Sequence, residues 1–383
     1  MTTGTRRALL IATGAAALVG GVVAVARVLS PRTGTTRPTP AARTEAASVA
    51  PATPWRTIPA DTVLERIGFG SCLDQKQPMP IWTAVLAAKP QLFLMLGDNV
   101  YGDVSDDSMT ELRTAYRRLL DDPAFTKARG ELPFQAIWDD HDFGRNDAGG
   151  AFPLKAQAAA LFREFWQVTG PRAARSGLYD AVVYGPPGKR VQIIMLDTRY
   201  FRSEWSPKAA GLDVRGPYGP DTDAAKTMLG PEQWAWLEAE LARPAELRLV
   251  VSSIQLLADG HGFERWGNFP AERERFMALL RKTRAKGVLV LSGDRHFGSL
   301  HRRTDGVPYP LIDITSSALN VPLPDRFGIE ERDPQQFAEP FRPANFGMVR
   351  IDWAAKVVRL ELVGLDGVAA RHVDVRFADV GIE

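Results

Sequence analysis

One cysteine, Cys72, stands in the whole 383-residue chain, so no intrachain disulfide can form. A lone thiol is then an inert core residue, a nucleophile or a metal ligand, and its neighbours decide which. Only five histidines are present. Excess charge of one sign is also lacking: 47 basic residues face 45 acidic ones. The first fifty residues hold six arginines (Arg6, Arg7, Arg27, Arg32, Arg37, Arg43) against one acid, Glu45, so the remainder is close to neutral. That balance argues against a nucleic-acid footprint, and no stable nucleic-acid partner is expected. Hydrophobic residues at 45% and charged residues at 24% exclude a wholly disordered, fibrous or multi-span membrane chain. The length suffices for a core that needs no metal merely to fold.

The chain begins with basic residues, Arg6 and Arg7, followed by the uncharged, weakly apolar stretch Ala8–Ala26 and a small-x-small site, Ala24-Val25-Ala26. This is the layout of an export signal over residues 1–30, and the arginine pair ahead of Leu9-Leu10 is twin-arginine-like. The expected location is therefore the periplasm, the cell envelope or the medium, with the twin-arginine export machinery as a partner. The protein would contact the membrane only if residues 8–26 stay as an uncleaved anchor. Residues 31–60 are rich in Pro, Thr and Ala and read as a flexible linker.

From residue 61 to 383, apolar strand-like runs alternate with helical patterns, the mark of a layered α/β domain. Strands are predicted at Arg66–Gly70, Gln91–Leu96, Phe134–Trp138, Leu178–Tyr184, Val191–Leu196, Leu247–Ser252 and Gly287–Ser292. Helices are predicted at Met79–Ala88, Leu154–Val168, Glu232–Leu241 and Ala271–Ala285. A long helix over Ser108–Arg129 is expected to start with a capping box of Ser108 and Glu111. A late cluster of strands (Leu311–Ile314, Gly347–Ile351, Val357–Leu362, His372–Phe377) suggests a second or mixed sheet.

Chemistry-bearing residues gather where the apolar strands end. Gly70-Ser71-Cys72, Gly97-Asp98-Asn99-Val100-Tyr101, Asp139-Asp140-His141-Asp142 and Gly293-Asp294-Arg295-His296 each follow a strand. In open α/β sheets, ligands bind beyond the carboxyl ends of strands. Asp98, Asp140 and Asp294 supply hard oxygens, His141 and His296 imidazoles, and Cys72 and Tyr101 softer anions. So many carboxylates in one place repel each other without a cation. Singly, each such Asp more often caps a helix or closes a turn; four strand ends together point to a metal site. His301 and His372 read as strand surface residues, and His261 stays undecided.

These motifs, in this order, resemble the metallophosphoesterase superfamily and more closely the alkaline phosphatase D (PhoD-like) family. Leu196–Arg202, Leu229–Trp234 and Trp266–Pro270 also look familial, and the likeness spans roughly residues 64–350. The resemblance implies a four-layer sandwich, two mixed β-sheets flanked by helices. It implies that Cys72, Asp98, Tyr101 and His296 hold an iron(III)-like ion. Asp98 bridges to a second ion, calcium in some members, which Asp140 and Asp294 also hold. Magnesium, manganese and zinc are the other candidates. The small N-terminal β domain of some members is not expected between the linker and the first motif. The superfamily's histidine ligand after the strand ending near Val251 is replaced by Ser252-Ser253-Ile254-Gln255, with Gln255 or a water in its role.

The expected activity is hydrolysis of phosphoric esters, mono- or diester, by a metal-activated hydroxide at a dinuclear site. His141 is the expected catalytic acid, Arg295 and Arg145 the phosphate clamps, and Asn146 and Trp266 the contacts to a small-molecule, lipid or nucleotide substrate. Asp142 and Asp147 are expected to support the ligands rather than bind metal. Two other readings stay open: a serine-type hydrolase pairing Ser71 with His141, and a non-catalytic metal-binding envelope protein.

Overall fold

The computed structural model describes residues 48–324 and 333–383. The export signal and the first part of the expected linker lie outside them. No helix among the described residues is long and apolar enough to cross a membrane.

The chain runs β1 (Arg66–Gly70), α1 (Ile81–Ala88), β2 (Leu92–Leu96), α2 (Thr110–Asp121), α3 (Pro123–Glu131), β3 (Phe134–Ile137), α4 (Asp140–Phe143), α5 (Lys155–Phe165) and α6 (Pro171–Ala174). It continues through β4 (Asp180–Tyr184), β5 (Val191–Met195), α7 (Gly230–Leu241), β6 (Leu247–Val251), α8 (Pro270–Thr283) and β7 (Val288–Ser292). The last strands are β8 (Gly298–Arg303), β9 (Leu311–Ser316), β10 (Asn345–Asp352), β11 (Val357–Gly364) and β12 (Ala369–Arg376).

Two six-stranded mixed sheets result, ordered β12-β11-β10-β1-β2-β3 and β4-β5-β6-β7-β9-β8. Side-chain alternation along β2 shows how the layers form. Leu92, Leu94 and Leu96 face the apolar layer between the sheets, while Phe93 and Met95 face a layer shared with α1, α2, α3 and α5. In the second sheet, Ile193 and Leu249 point between the sheets, and Ile194 and Val250 point toward α7 and α8. Strands buried on both faces read as continuous apolar runs, which is why they were legible in the sequence. The architecture is the expected sandwich of two sheets flanked by helices.

Three local expectations change. The long helix over Ser108–Arg129 is two helices. Pro123 has no N–H and holds Asp122 extended (φ −70°, ψ 123°), and the Asp122 carboxylate caps α3 at the Phe125 N–H, 2.9 Å away. The capping box does not form: Met109 stands at the N-cap of α2, and Glu111 accepts from the Ser105 hydroxyl at 2.5 Å. The sequence predicts no range for β8 and reads His301 as a strand surface residue, whereas Ser299 and His301 occupy buried positions that an apolar pattern would fill.

The linker reading also ends earlier than expected, since Ser48–Glu383 is one compact unit. Val49 is buried, and Glu164 accepts from its N–H at 2.8 Å. Trp55 stacks on Trp166 (4.5 Å between centroids) and donates its indole N–H to the Phe165 carbonyl at 2.8 Å. One tryptophan in a Pro/Thr/Ala-rich stretch is a weak sequence signal, yet its ring has a prepared apolar seat.

Candidate metal centre

β1, β2 and β7 are parallel or lie in parallel registers within their sheets, and each ends in a turn that turns a polar side chain inward. The turns are tight. Cys72, Asp98, Asp294 and His296 all have positive φ (60°, 48°, 73° and 59°), the left-handed region that non-glycine residues seldom occupy. Such strain concentrates at functional sites. The two Gly-Asp pairs have a steric cause. A Cβ on Gly97 (φ +102°) would meet Asp139 Cβ at 2.5 Å, and one on Gly293 would meet Ser71 Oγ at 2.5 Å. Glycine lets the turn after β2 approach the turn after β3, and the turn after β7 approach that after β1 in the other sheet.

Three groups of donor atoms converge, each within 4.8 Å of one another: Cys72, Asp98 and His296; Asp98, Asp140 and His141; Asp140, Asp147 and Glu264. Asp98 belongs to the first two and Asp140 to the last two. Cys72 Sγ is 3.7 Å from Asp98 Oδ2, and the Tyr101 hydroxyl is 3.3 Å from His296 Nε2. The His296 Nδ1–H donates to the Val321 carbonyl at 2.7 Å, which leaves the Nε2 lone pair for the centre. His296 is pushed down to about 4, first by burial, so the ring stays neutral.

The carboxyl groups show the stress of crowding. Asp98 and Asp294 lie well above the usual carboxylate range, first through burial and then through neighbouring acids, Asp140 and Asp139 respectively. Burial, then the charges of Asp98 and Asp294, pushes up the Cys72 thiol. Burial also works against ionised Asp140, but Arg199 and His141 outweigh it and hold this group at about 2. A set of buried and half-buried thiol, phenol, imidazole and carboxylate donors, crowded with acids, fits bound cations.

Cys72, Asp98, Tyr101, Asp140, Asp294 and His296 are thus brought together from four strand ends. Asp98, Asp140, Asp294 and His296 line a cavity with His141, Asn146, Asp147, Arg215, Tyr218, Phe263, Glu264, Arg295 and Leu323. His141 Nδ1–H donates to both Asp103 oxygens (3.0 and 3.1 Å), and its ring lies 4.4 Å from that of Tyr101. Burial opposes its charged form, but Asp98, Asp140 and Asp103 prevail and raise it to about 11. The Arg295 guanidinium lies over Phe263, 4.6 Å from the ring centroid.

Other expected site residues fall elsewhere. Arg145 is exposed and does not line the cavity. Trp266 is fully buried in the layer under α7 and α8, with its indole N–H given to Ser252 Oγ at 3.1 Å, so it is core rather than a substrate contact. Gln255 does not replace a histidine ligand. Its amide N–H groups donate to Ser299 and Thr315, and its oxygen faces His261 Nε2 at 2.9 Å. His261 is therefore a buried structural residue. His301 is buried too, 3.3 Å from Asp333, while His372 is exposed as expected. Ser71 is buried with its hydroxyl directed to the Ser316 carbonyl (3.4 Å), so it is no partner for His141.

Glu264 and Tyr218, which line the same cavity, carry no mark in the sequence. Glu264 is gripped bidentately by Arg199 (2.6 and 2.7 Å) and accepts from the Trp205 indole; Arg199 also binds Asp139. Those bonds occupy the Glu264 oxygens and make it a structural anchor. Tyr218 reaches the cavity on the 206–219 loop, which bridges to residues 261–262, and donates its hydroxyl to Asp147 Oδ2 at 2.6 Å. The only sequence signal was Arg199, in the familial Leu196–Arg202 segment. The contacts to Glu264 and Tyr218 are long-range and leave no local pattern. Asp142 is buried and accepts from the Asn99 and Asp139 N–H groups, supporting the turn as expected.

Two six-stranded mixed sheets flanked by helices, with carboxylate, imidazole, thiol and phenol donors at the strand ends, define an α/β sandwich with a candidate metal centre. Residues 67–314 match the family model described as PhoD-like phosphatase, and the chain belongs to that family. It is 24% identical to alkaline phosphatase D of Bacillus subtilis (strain 168) over 271 residues, which are 60% of this chain and 45% of that protein. The chain thus spans about half the length of that curated relative. The fold is similar to a solved structure of PhoD (TM-score 0.64, 17% identity, 84% of this chain and 70% of that one). It is also similar to GAP50, described as the anchor in the inner membrane complex of Plasmodium (TM-score 0.54, 11% identity, 82% and 89% covered).

Proposed function

We propose that the chain is a metal-dependent hydrolase of phosphoric esters acting on small-molecule, lipid or nucleotide phosphoesters. The observation that supports this most is the convergence of Cys72, Asp98, Asp140 and His296 from four strand ends beside a carboxylate-held histidine. Cys72, Asp98, Tyr101 and His296 would hold an iron(III)-like ion. Asp98, Asp140 and Asp294 would hold a second ion, with calcium favoured by the all-oxygen set. Bound there, such ions neutralise phosphoryl oxygens and lower the pKa of water toward about 7.

The protein's own groups do the rest. His141 gives its Nε2 proton to the leaving oxygen as the phosphorus–oxygen bond breaks and the elements of water add to phosphorus. Asp103 is a positioning residue: by accepting from Nδ1 it sets the ring's orientation and favours its protonated form. Arg295, its plane set by Phe263, and Asn146 contact the non-bridging oxygens. Export is part of the same proposal, supported by Arg6-Arg7 and the uncharged stretch behind them. Replacing both arginines with lysine should retain the full chain in the cytoplasm on cell fractionation.

The test is hydrolysis of nitrophenyl phosphate and of its bis-nitrophenyl diester, with metal content assayed on the same sample. Turnover that a chelator abolishes and added metal restores is the expected result. Turnover indifferent to chelation would overturn the metal reading, and a fully metal-loaded protein inert toward both esters would favour a binding role.

A further inference from the structure

His141 lines two depressions. On one side is the cavity of the metal ligands; on the other is a groove between the loop after β1 and the first turns of α2. The Tyr101 ring packed on His141 forms its inner end, with Gly102 and the buried Ala115 beside it. The groove is rigidly built. Gln75, buried, exchanges two 2.9 Å hydrogen bonds with the Tyr101 backbone. Asn320 clamps Asp74 through its N–H (2.8 Å) and carbonyl (2.9 Å). A Cβ on Gly102 would meet the Leu112 backbone at 2.8 Å, so the floor cannot be raised.

Charge along the groove is uneven. Its acids are engaged: Asp103 accepts from His141, Glu111 from Ser105, and Asp74 from the Lys76 backbone N–H. Thr110, Thr114 and Arg118 follow at i, i+4 and i+8 along one line of α2, and Lys76 faces them from the β1 loop. Among the described residues, neither Lys76 nor Arg118 takes part in an ion pair. The groove therefore leads from the proton donor, past carbon surface, hydroxyls and the hydrogen-bonded carboxylates of Asp103, Glu111 and Asp74, to two cations.

We propose that this groove receives the leaving alcohol of the ester, and that Lys76 and Arg118 recognise a second anionic group carried on that alcohol. The inference rests on the phosphoesterase reading above. The departing oxygen is bound at His141, so its substituent has the groove as its path. An anion at the far end meets a guanidinium and an ammonium over threonine hydroxyls.

The experiment compares alkyl monophosphates of three to eight carbons with the corresponding alkanediol bisphosphates, followed by phosphate release. For at least one chain length, the bisphosphate should exceed the monophosphate about tenfold in kcat/KM, well beyond the factor of about two from its two equivalent esters, mostly through KM. The advantage should fall as salt is raised. Replacing Lys76 and Arg118 together with alanine should abolish the preference and leave alkyl monophosphate turnover unchanged. Thr114→Trp, at an exposed position in the groove, should raise KM for the longer esters. Turnover without any bisphosphate preference, or a preference that survives the double replacement, overturns the groove assignment alone. A metal-loaded protein that turns over none of these esters overturns the phosphoesterase reading and the groove with it.

Discussion

Arg199→Met tests the frame behind the metal centre. The guanidinium is fully buried. Its Nη atoms donate to the two Glu264 oxygens at 2.6 and 2.7 Å, and its Nε donates to Asp139 Oδ1 at 2.6 Å. Methionine fills the volume but leaves two buried carboxylates without their main cation. Breaking a buried pair from one side costs about 3–5 kcal/mol. Arg202, 3.4 Å from Glu264, keeps part of the field, which places the loss near the lower end, about 3 kcal/mol. The loss should depend on pH. Burial raises Asp139 to about 7 even with Arg199 opposing it. A raised carboxyl costs nothing below its unfolded value near 3.8, and its cost grows with pH until the folded value is passed. Removing Arg199 moves that folded value higher; below about pH 7 Asp139 is protonated in both folded proteins and costs the same, so the gap between them should widen above about pH 7. Urea unfolding of chelator-treated protein at several pH values measures this gap. A loss under about 1 kcal/mol, or one flat between about pH 5 and 9, would refute the argument, since it would mean Arg199 is not paired to these acids as drawn. Arg199→Lys keeps the charge without the fork and should recover less than half of the stability.

Three further outcomes are expected. Asp98→Ala should remove bound metal and activity together, by metal analysis and ester hydrolysis on one sample; full retention of both would exclude Asp98 as the shared ligand. His141→Ala should lower kcat about 100-fold or more with metal content little changed, whereas loss of metal in proportion to activity would make His141 a ligand. Trp55→Ala should cost about 2–3 kcal/mol by urea unfolding, because the ring packs on Trp166, Phe125, Phe134 and Phe165; a loss below about 0.5 kcal/mol would return residues 48–58 to linker status.

What the sequence by itself determined was the layered plan and the candidate donors. Strands such as Leu92–Leu96 are apolar on both faces because both are covered, so they announce themselves, and a Gly-Asp pair at a strand's end has one place to go. Pairings between distant segments were decided only in the tertiary structure. Whether an arginine lines the cavity or lies in solvent depends on which loop folds over it, and Arg295 and Arg145 look alike in sequence. Trp266 and Trp55 both depart from their expected roles and pack into the body for the same reason: burial of a large ring is settled by surfaces far along the chain. The Arg199–Glu264 fork joins residues 65 positions apart, and the Tyr218–Asp147 contact 71. No periodicity records such contacts; the close packing of the two sheet ends creates them.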